Sequence, residues 1–100
     1  MMKIDMKAKW LEALRSGDYK QGRNALKQDG CFCCLGVLCD IIDPNGWNEY
    51  GHFDGDRNYL SSGVKETVGM TPWEVSQVAD MNDCERKSFT EIADWIEKNL

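Results

Sequence analysis

One hundred residues make a single domain, burying roughly 60–68% of the surface its unfolded chain exposes, with no material for a separate catalytic module. A composition of 42% hydrophobic and 29% charged residues is that of an ordinary globular chain and argues against disorder. Twelve basic against seventeen acidic residues give a net charge of −5, which argues against duplex nucleic acid as a partner.

The start of the chain, Met1 to Lys7, has no apolar signal core. The longest near-apolar run, Cys31 to Ile42, is twelve residues, against about 20 for a membrane span. The expectation is a cytoplasmic protein without membrane contact. Its five cysteines then read as reduced thiols, since an odd number cannot all pair within one chain.

In chain order, the first predicted element is a helix from Met6 to about Arg15. Asp5 is its expected N-cap, and Ile4, Ala8 and Leu11 are its apolar spacing, with Trp10 over Leu14. Ser16-Gly17 stops it. Asp18 to Gln28 is polar and without period, and reads as an irregular connector ending at an Asp29-Gly30 turn. Cys31 to Ile42 is apolar except at Gly36 and Asp40, as expected of a central buried helix in which Gly36 admits another backbone. A buried strand is the competing reading for so short a run.

Asp43-Pro44-Asn45-Gly46 fits a type I turn. Tyr50 to Tyr59 reads as a β-hairpin around Asp54-Gly55, pairing Phe53 with Asp56, His52 with Arg57 and Tyr50 with Tyr59. Ser61 or Ser62 caps a short helix ending at Gly69. Thr71-Pro72-Trp73-Glu74 and Ser88-Phe89-Thr90-Glu91 are capping boxes that open two more helices, the first running to about Met81. In the last, Phe89, Ile92, Ala93 and Ile96 make the apolar stripe. The predicted fold is a small α+β domain spanning 1–100, mostly helical with four to five short helices and one β-hairpin.

Motifs for chemistry are thin. Cys31-x-x-Cys34 has zinc-pair spacing, but a structural site needs four ligands and no second Cys/His pair exists. Its reading is core thiols, and the strand-helix context of a redox pair is missing. Asp54-x-Asp56-x-Asn58 starts like a calcium loop, yet Tyr59 stands where glycine is needed and Lys65 where glutamate closes the cage. His52, the only histidine, has no nucleophile placed beside it. No catalytic residue, metal ligand set or cofactor is nominated.

Local charge says more. Lys20, Arg23 and Lys27 make a basic patch interleaved with Tyr19, Gln21 and Asn24. Guanidinium, amide and aromatic groups together suit a phosphate-and-base ligand. Asn82 and Asp83, between two capped helices, would add polar contacts. The candidate ligand-binding set is Tyr19, Lys20, Gln21, Arg23, Asn82 and Asp83. The plain alternative is a solvated connector and a helix-ending Asx turn.

Four stretches carry a resemblance: Tyr19-Lys20-Gln21-Gly22, Phe32-Cys33-Cys34-Leu35-Gly36-Val37-Leu38-Cys39-Asp40, Met81-Asn82-Asp83, and Ser88-Phe89-Thr90-Glu91-Ile92-Ala93-Asp94-Trp95-Ile96-Glu97. The chain resembles a set of short proteins encoded by tailed bacteriophages and prophages, which share an FCCLGVLCD-like segment and a C-terminal SFxEIADxIE helix. It departs from them after Leu60, where Ser61-Ser62 replaces proline, and it is shorter before Asn82. The resemblance implies a setting, the host-cell cytoplasm during infection, rather than a mechanism.

Three functions are weighed. The first is a non-enzymatic accessory protein that sequesters a nucleotide-derived signal to counter host defence, through the six candidate residues. The second is a protein–protein inhibitor of a host protein, using the acidic surface and exposed aromatics such as Trp47 and Trp73. A small hydrolase or metalloprotein is third, for want of a constellation. The partner is thus a small anionic ligand or a host protein, and self-association into a homo-oligomer stays open.

Overall fold

A computed structural model describes residues 2–100. Its elements are α1 (Ile4–Ser16), β1 (Lys27–Gln28), β2 (Cys31–Phe32), α2 (Cys34–Ile42), α3 (Ser62–Val68), α4 (Pro72–Asp83) and α5 (Phe89–Asn99). Five helices and one two-stranded antiparallel hairpin make the small α+β architecture the sequence implies. No helix among the described residues is long and apolar enough to cross a membrane.

The centre of the fold is α2, buried from Cys34 through Cys39, because a helix apolar on all sides has to be enclosed. It packs against α1 and α4, and α5 closes the structure against both of those. Cys33 is its N-cap, with Sγ accepting from Gly36 N at 3.4 Å. Gly36 lies against the backbone of Leu26. A Cβ there would fall inside the Leu26 carbonyl oxygen and 2.7 Å from its carbon, so only glycine fits the crossing. Trp10 of α1, fully buried, donates its Nε1–H to Cys34 O at 2.9 Å and ties the two helices.

Several local expectations are corrected. Helix α1 starts two residues before Met6, with Lys3 at the N-cap and no side-chain cap bond, while Asp5 lies inside the first turn and complements the dipole. Its buried face is Trp10 and Leu14, flanked by Met6, Leu11 and Ala13, whereas Ile4 is 84% exposed and Ala8 is exposed too. The run from Cys31 is not all helix, since Cys31 and Phe32 form β2 before Cys33 caps α2.

The paired hairpin is 27–32, not 50–59. Its turn is Asp29-Gly30, both at positive φ (53° and 78°), and Lys27 pairs with Phe32 and Gln28 with Cys31. At 50–59 the Asp54-Gly55 turn does form, and Phe53 bridges Asp56, but pairing extends no further along the predicted register. Phe53 instead bridges Trp47 and is buried, so the chain folds inward. Trp47, expected exposed, packs edge-on between Phe32 and Phe53 at ring distances of 5.9 and 5.2 Å. Gly46 N bonds to Asp43 O at 3.0 Å, closing the turn expected at Pro44.

The N-caps of α3, α4 and α5 follow the sequence. Ser61 caps α3, Thr71 and Ser88 form complete capping boxes at α4 and α5, and Gly17 and Gly69 end α1 and α3 in left-handed conformations.

Candidate functional site

The connector Asp18 to Leu26 is not a free loop. Lys20 O accepts from Phe32 N at 2.8 Å and Gly22 N donates to Phe32 O at 2.7 Å, so the chain runs parallel beside β2. Ala25 and Leu26 then enter the core, and Leu26 N donates to Arg57 O at 2.7 Å. A polar sequence with two apolar residues carries no period, which is why its packing was not legible.

This path brings four of the six candidate residues into internal contacts. Asn82, at the end of α4, is the buried polar residue of the core, with no exposure. Its Oδ1 accepts from Gln21 Nε2 at 2.9 Å and from Cys34 N at 3.3 Å. Its Nδ2 donates to Gly22 O at 2.9 Å and to Asp83 Oδ1 at 2.8 Å. Gln21 Nε2 donates also to Lys87 O at 2.9 Å, and Asp83 Oδ1 accepts from Asn24 N at 3.0 Å, where Asn24 takes a left-handed φ of 64°. One amide thereby joins the connector, the start of α2 and the end of α4. No described buried side-chain nitrogen or oxygen lacks a partner.

Tyr19 is committed as well. Its hydroxyl donates to Asp40 Oδ2 at 2.7 Å, and Trp47 Nε1 donates to Asp40 Oδ1 at 3.0 Å. The one acidic residue of the apolar run thus holds two aromatic rings, one from each flanking segment. Partial burial, and then the Asp40 hydrogen bond, push the Tyr19 phenol up to about 12. A pKa raised above the free value near 10 favours the neutral phenol in the folded state. The stability it contributes is complete below pH 10 and is lost as pH rises through about 12. Alkaline melting curves of the Tyr19→Phe variant should lack that component, while any loss from the Cys33 thiol, which burial pushes up to about 11, stays common to both proteins.

Lys20 and Arg23 remain exposed, and neither enters an ion pair among the described residues. Arg23 lines a shallow depression of about 300 Å³ with Gly22, Ala25, Gln28, Asp29 and Cys31. Exposed side chains without partners contribute little to folding. Arg23→Ala should therefore change stability by less than about 0.5 kcal/mol in denaturant melts. A larger loss would mean a partner that the geometry does not contain.

Among the described residues, no three of His, Cys, Asp or Glu stand together as a metal site. Cys33, Cys34 and Cys39 are buried and their thiols are all pushed up by burial. Thiols held protonated in a core behave as small apolar groups. The His52 ring is tilted 47° against that of Tyr50, with centroids 6.2 Å apart. The Asp54 carboxylate accepts from the Ser61 hydroxyl, tying the turn to the start of α3.

The exposed large apolar side chains are elsewhere: Tyr50 at 74%, Trp73 at 64%, Tyr59 at 49% and Ile4 at 84%. Trp73 follows Pro72 at the start of α4, in a first turn fixed by the capping box. Tyr59, Leu60, Lys65, Pro72, Val75 and Ser76 line a depression of about 190 Å³ there. The tryptophan was legible in the sequence; the two tyrosines, assigned to a paired hairpin, were not.

Residues 2–83 match the family described as a domain of unknown function (DUF8296). No curated protein and no solved structure matches the chain.

Proposed function

The chain belongs to the DUF8296 family, and we propose that it is a non-enzymatic binding protein whose surface holds a partner protein. The observation that carries this reading is Trp73, 64% exposed on a rigidly capped helix start. An exposed tryptophan leaves apolar area in water, and its ring is a frequent anchor in protein interfaces. Pro72, its exposed neighbour in the chain, adds apolar surface and lines a depression together with Tyr59. In the setting implied by the resemblance to phage proteins, the partner is a bacterial host protein, a defence component included, and the place of action is the host cytoplasm.

Affinity capture from bacterial cells, run in parallel with wild-type and Trp73→Ala chains, tests the reading. One discrete protein held stoichiometrically by the wild type and lost from a folded Trp73→Ala chain is the expected result. Equal capture by both would remove Trp73 from the interface.

The second reading, an anionic nucleotide-like ligand held by Lys20 and Arg23, is favoured by the exposure of both cations and the depression beside Arg23. Against it stand Asp29 in the same wall and the internal bonds of Tyr19, Gln21, Asn82 and Asp83.

A further inference from the structure

A depression of about 360 Å³ lies between two turns. One wall is Lys27, Gln28 and Asp29 of the hairpin, and the other is Asn48, Glu49 and Tyr50. Both walls are held in place. Asn48 Oδ1 accepts from Tyr50 N at 2.9 Å and from His52 N at 3.0 Å, and Gly51 N donates to Asn48 O at 3.1 Å. Gly51, at φ 77°, abuts the hairpin so closely that a Cβ would lie 2.7 Å from Lys27 O. The cleft is therefore formed before any ligand arrives, which lowers the ordering cost of binding.

Its chemistry is specific. Asp29 and Glu49 are exposed carboxylates that enter no ion pair among the described residues. The Tyr50 ring stands 74% exposed at the rim, and the Gln28 amide adds an acceptor. The cation in the wall, Lys27, is drawn over the Phe32 and Trp47 rings, with Nζ 5.4 and 5.3 Å from their centroids. Two carboxylates against one engaged ammonium disfavour an anion and favour a cation. The second wall belongs to a stretch, Asp43 to Asp56, that carries four acidic residues and no lysine or arginine.

We infer that this cleft receives an arginine side chain of the partner protein. A planar guanidinium would lie on the Tyr50 face and fork its N–H groups to the Glu49 and Asp29 carboxylates. The inference rests on the protein-partner reading above and adds to it the partner's chemistry and a second contact region.

A blocked pentapeptide with a central arginine, titrated into isotope-labelled protein and followed by amide NMR shifts, is the test, with the citrulline peptide as neutral counterpart. Saturable shifts concentrated at 28–30 and 48–51, weakened for citrulline, are expected. Glu49→Gln and Tyr50→Ala should each weaken binding about two- to fivefold, as exposed ion-pair and cation–π contacts do. Glu66→Gln, on α3, controls for general attraction to an acidic protein. Equal binding of the citrulline peptide, or equal effects of Glu49→Gln and Glu66→Gln, would overturn the assignment. Partner capture that depends on Trp73, with such a negative titration, would remove the arginine cleft and leave the protein-partner reading standing. Cleft-specific peptide binding with no captured protein would do the reverse.

Discussion

Asn82→Ala should destabilise the fold by about 3 kcal/mol or more, measured by denaturant unfolding. Alanine removes the acceptor used by Gln21 and Cys34 and the donor used by Gly22 and Asp83, all at a fully buried position. The Cys34 N–H left behind is buried, and an unsatisfied buried group costs about 1–3 kcal/mol, while the half-buried Gln21, Gly22 and Asp83 each lose a bond as well. Asn82→Asp keeps the acceptor but puts a carboxylate beside Asp83 and loses the bond to Gly22, so it should be no better tolerated. A loss under about 1 kcal/mol for Asn82→Ala would show that the amide is not what joins the connector to α2 and α4.

Gly36→Ala is the second large effect, a loss of about 3 kcal/mol or failure to fold. The added methyl meets the backbone of Leu26 rather than a movable side chain, so relief requires separating the connector from α2. Gly55→Ala is the informative contrast. It has open space for a Cβ but a φ of 83°, and should lose only about 1 kcal/mol through backbone strain. If the two substitutions cost the same, the close crossing at Leu26 is wrong.

Both predictions fall on residues whose role the sequence displayed unevenly. Gly36 was legible because a glycine in an otherwise apolar helix has few explanations, and close approach of a second backbone is the leading one. The caps at Ser61, Thr71 and Ser88 were legible because hydrogen bonds three residues apart depend only on local sequence. Asn82 was different. At the end of a helix, an Asn-Asp pair has the same local signature as a ligand contact or an Asx turn, and only the tertiary path of Tyr19 to Leu26 buries it.

The hairpin shows the same limit. Asp29-Gly30 and Asp54-Gly55 are both turn dipeptides, and both adopt the expected positive φ values. Which one carries paired strands is decided by distant partners: β2 is flanked by the 20–22 segment, whereas Phe53 is drawn to Trp47. The candidate site divides along this line. Tyr19, Gln21, Asn82 and Asp83 hold the fold together, and Lys20 and Arg23 stay at the surface.

Thermal unfolding of the wild-type chain against cyclic and linear nucleotides tests that division most directly. A ligand at 100 times its Kd would stabilise the folded state by about 2.7 kcal/mol, a rise in Tm of roughly 10–20 °C for a chain of this size. With the polar groups around Asn82 already satisfied from within, no saturable shift is expected at millimolar nucleotide. A saturable rise with one nucleotide, abolished by Arg23→Ala, would overturn this division and return the 19–23 segment to the role of ligand site.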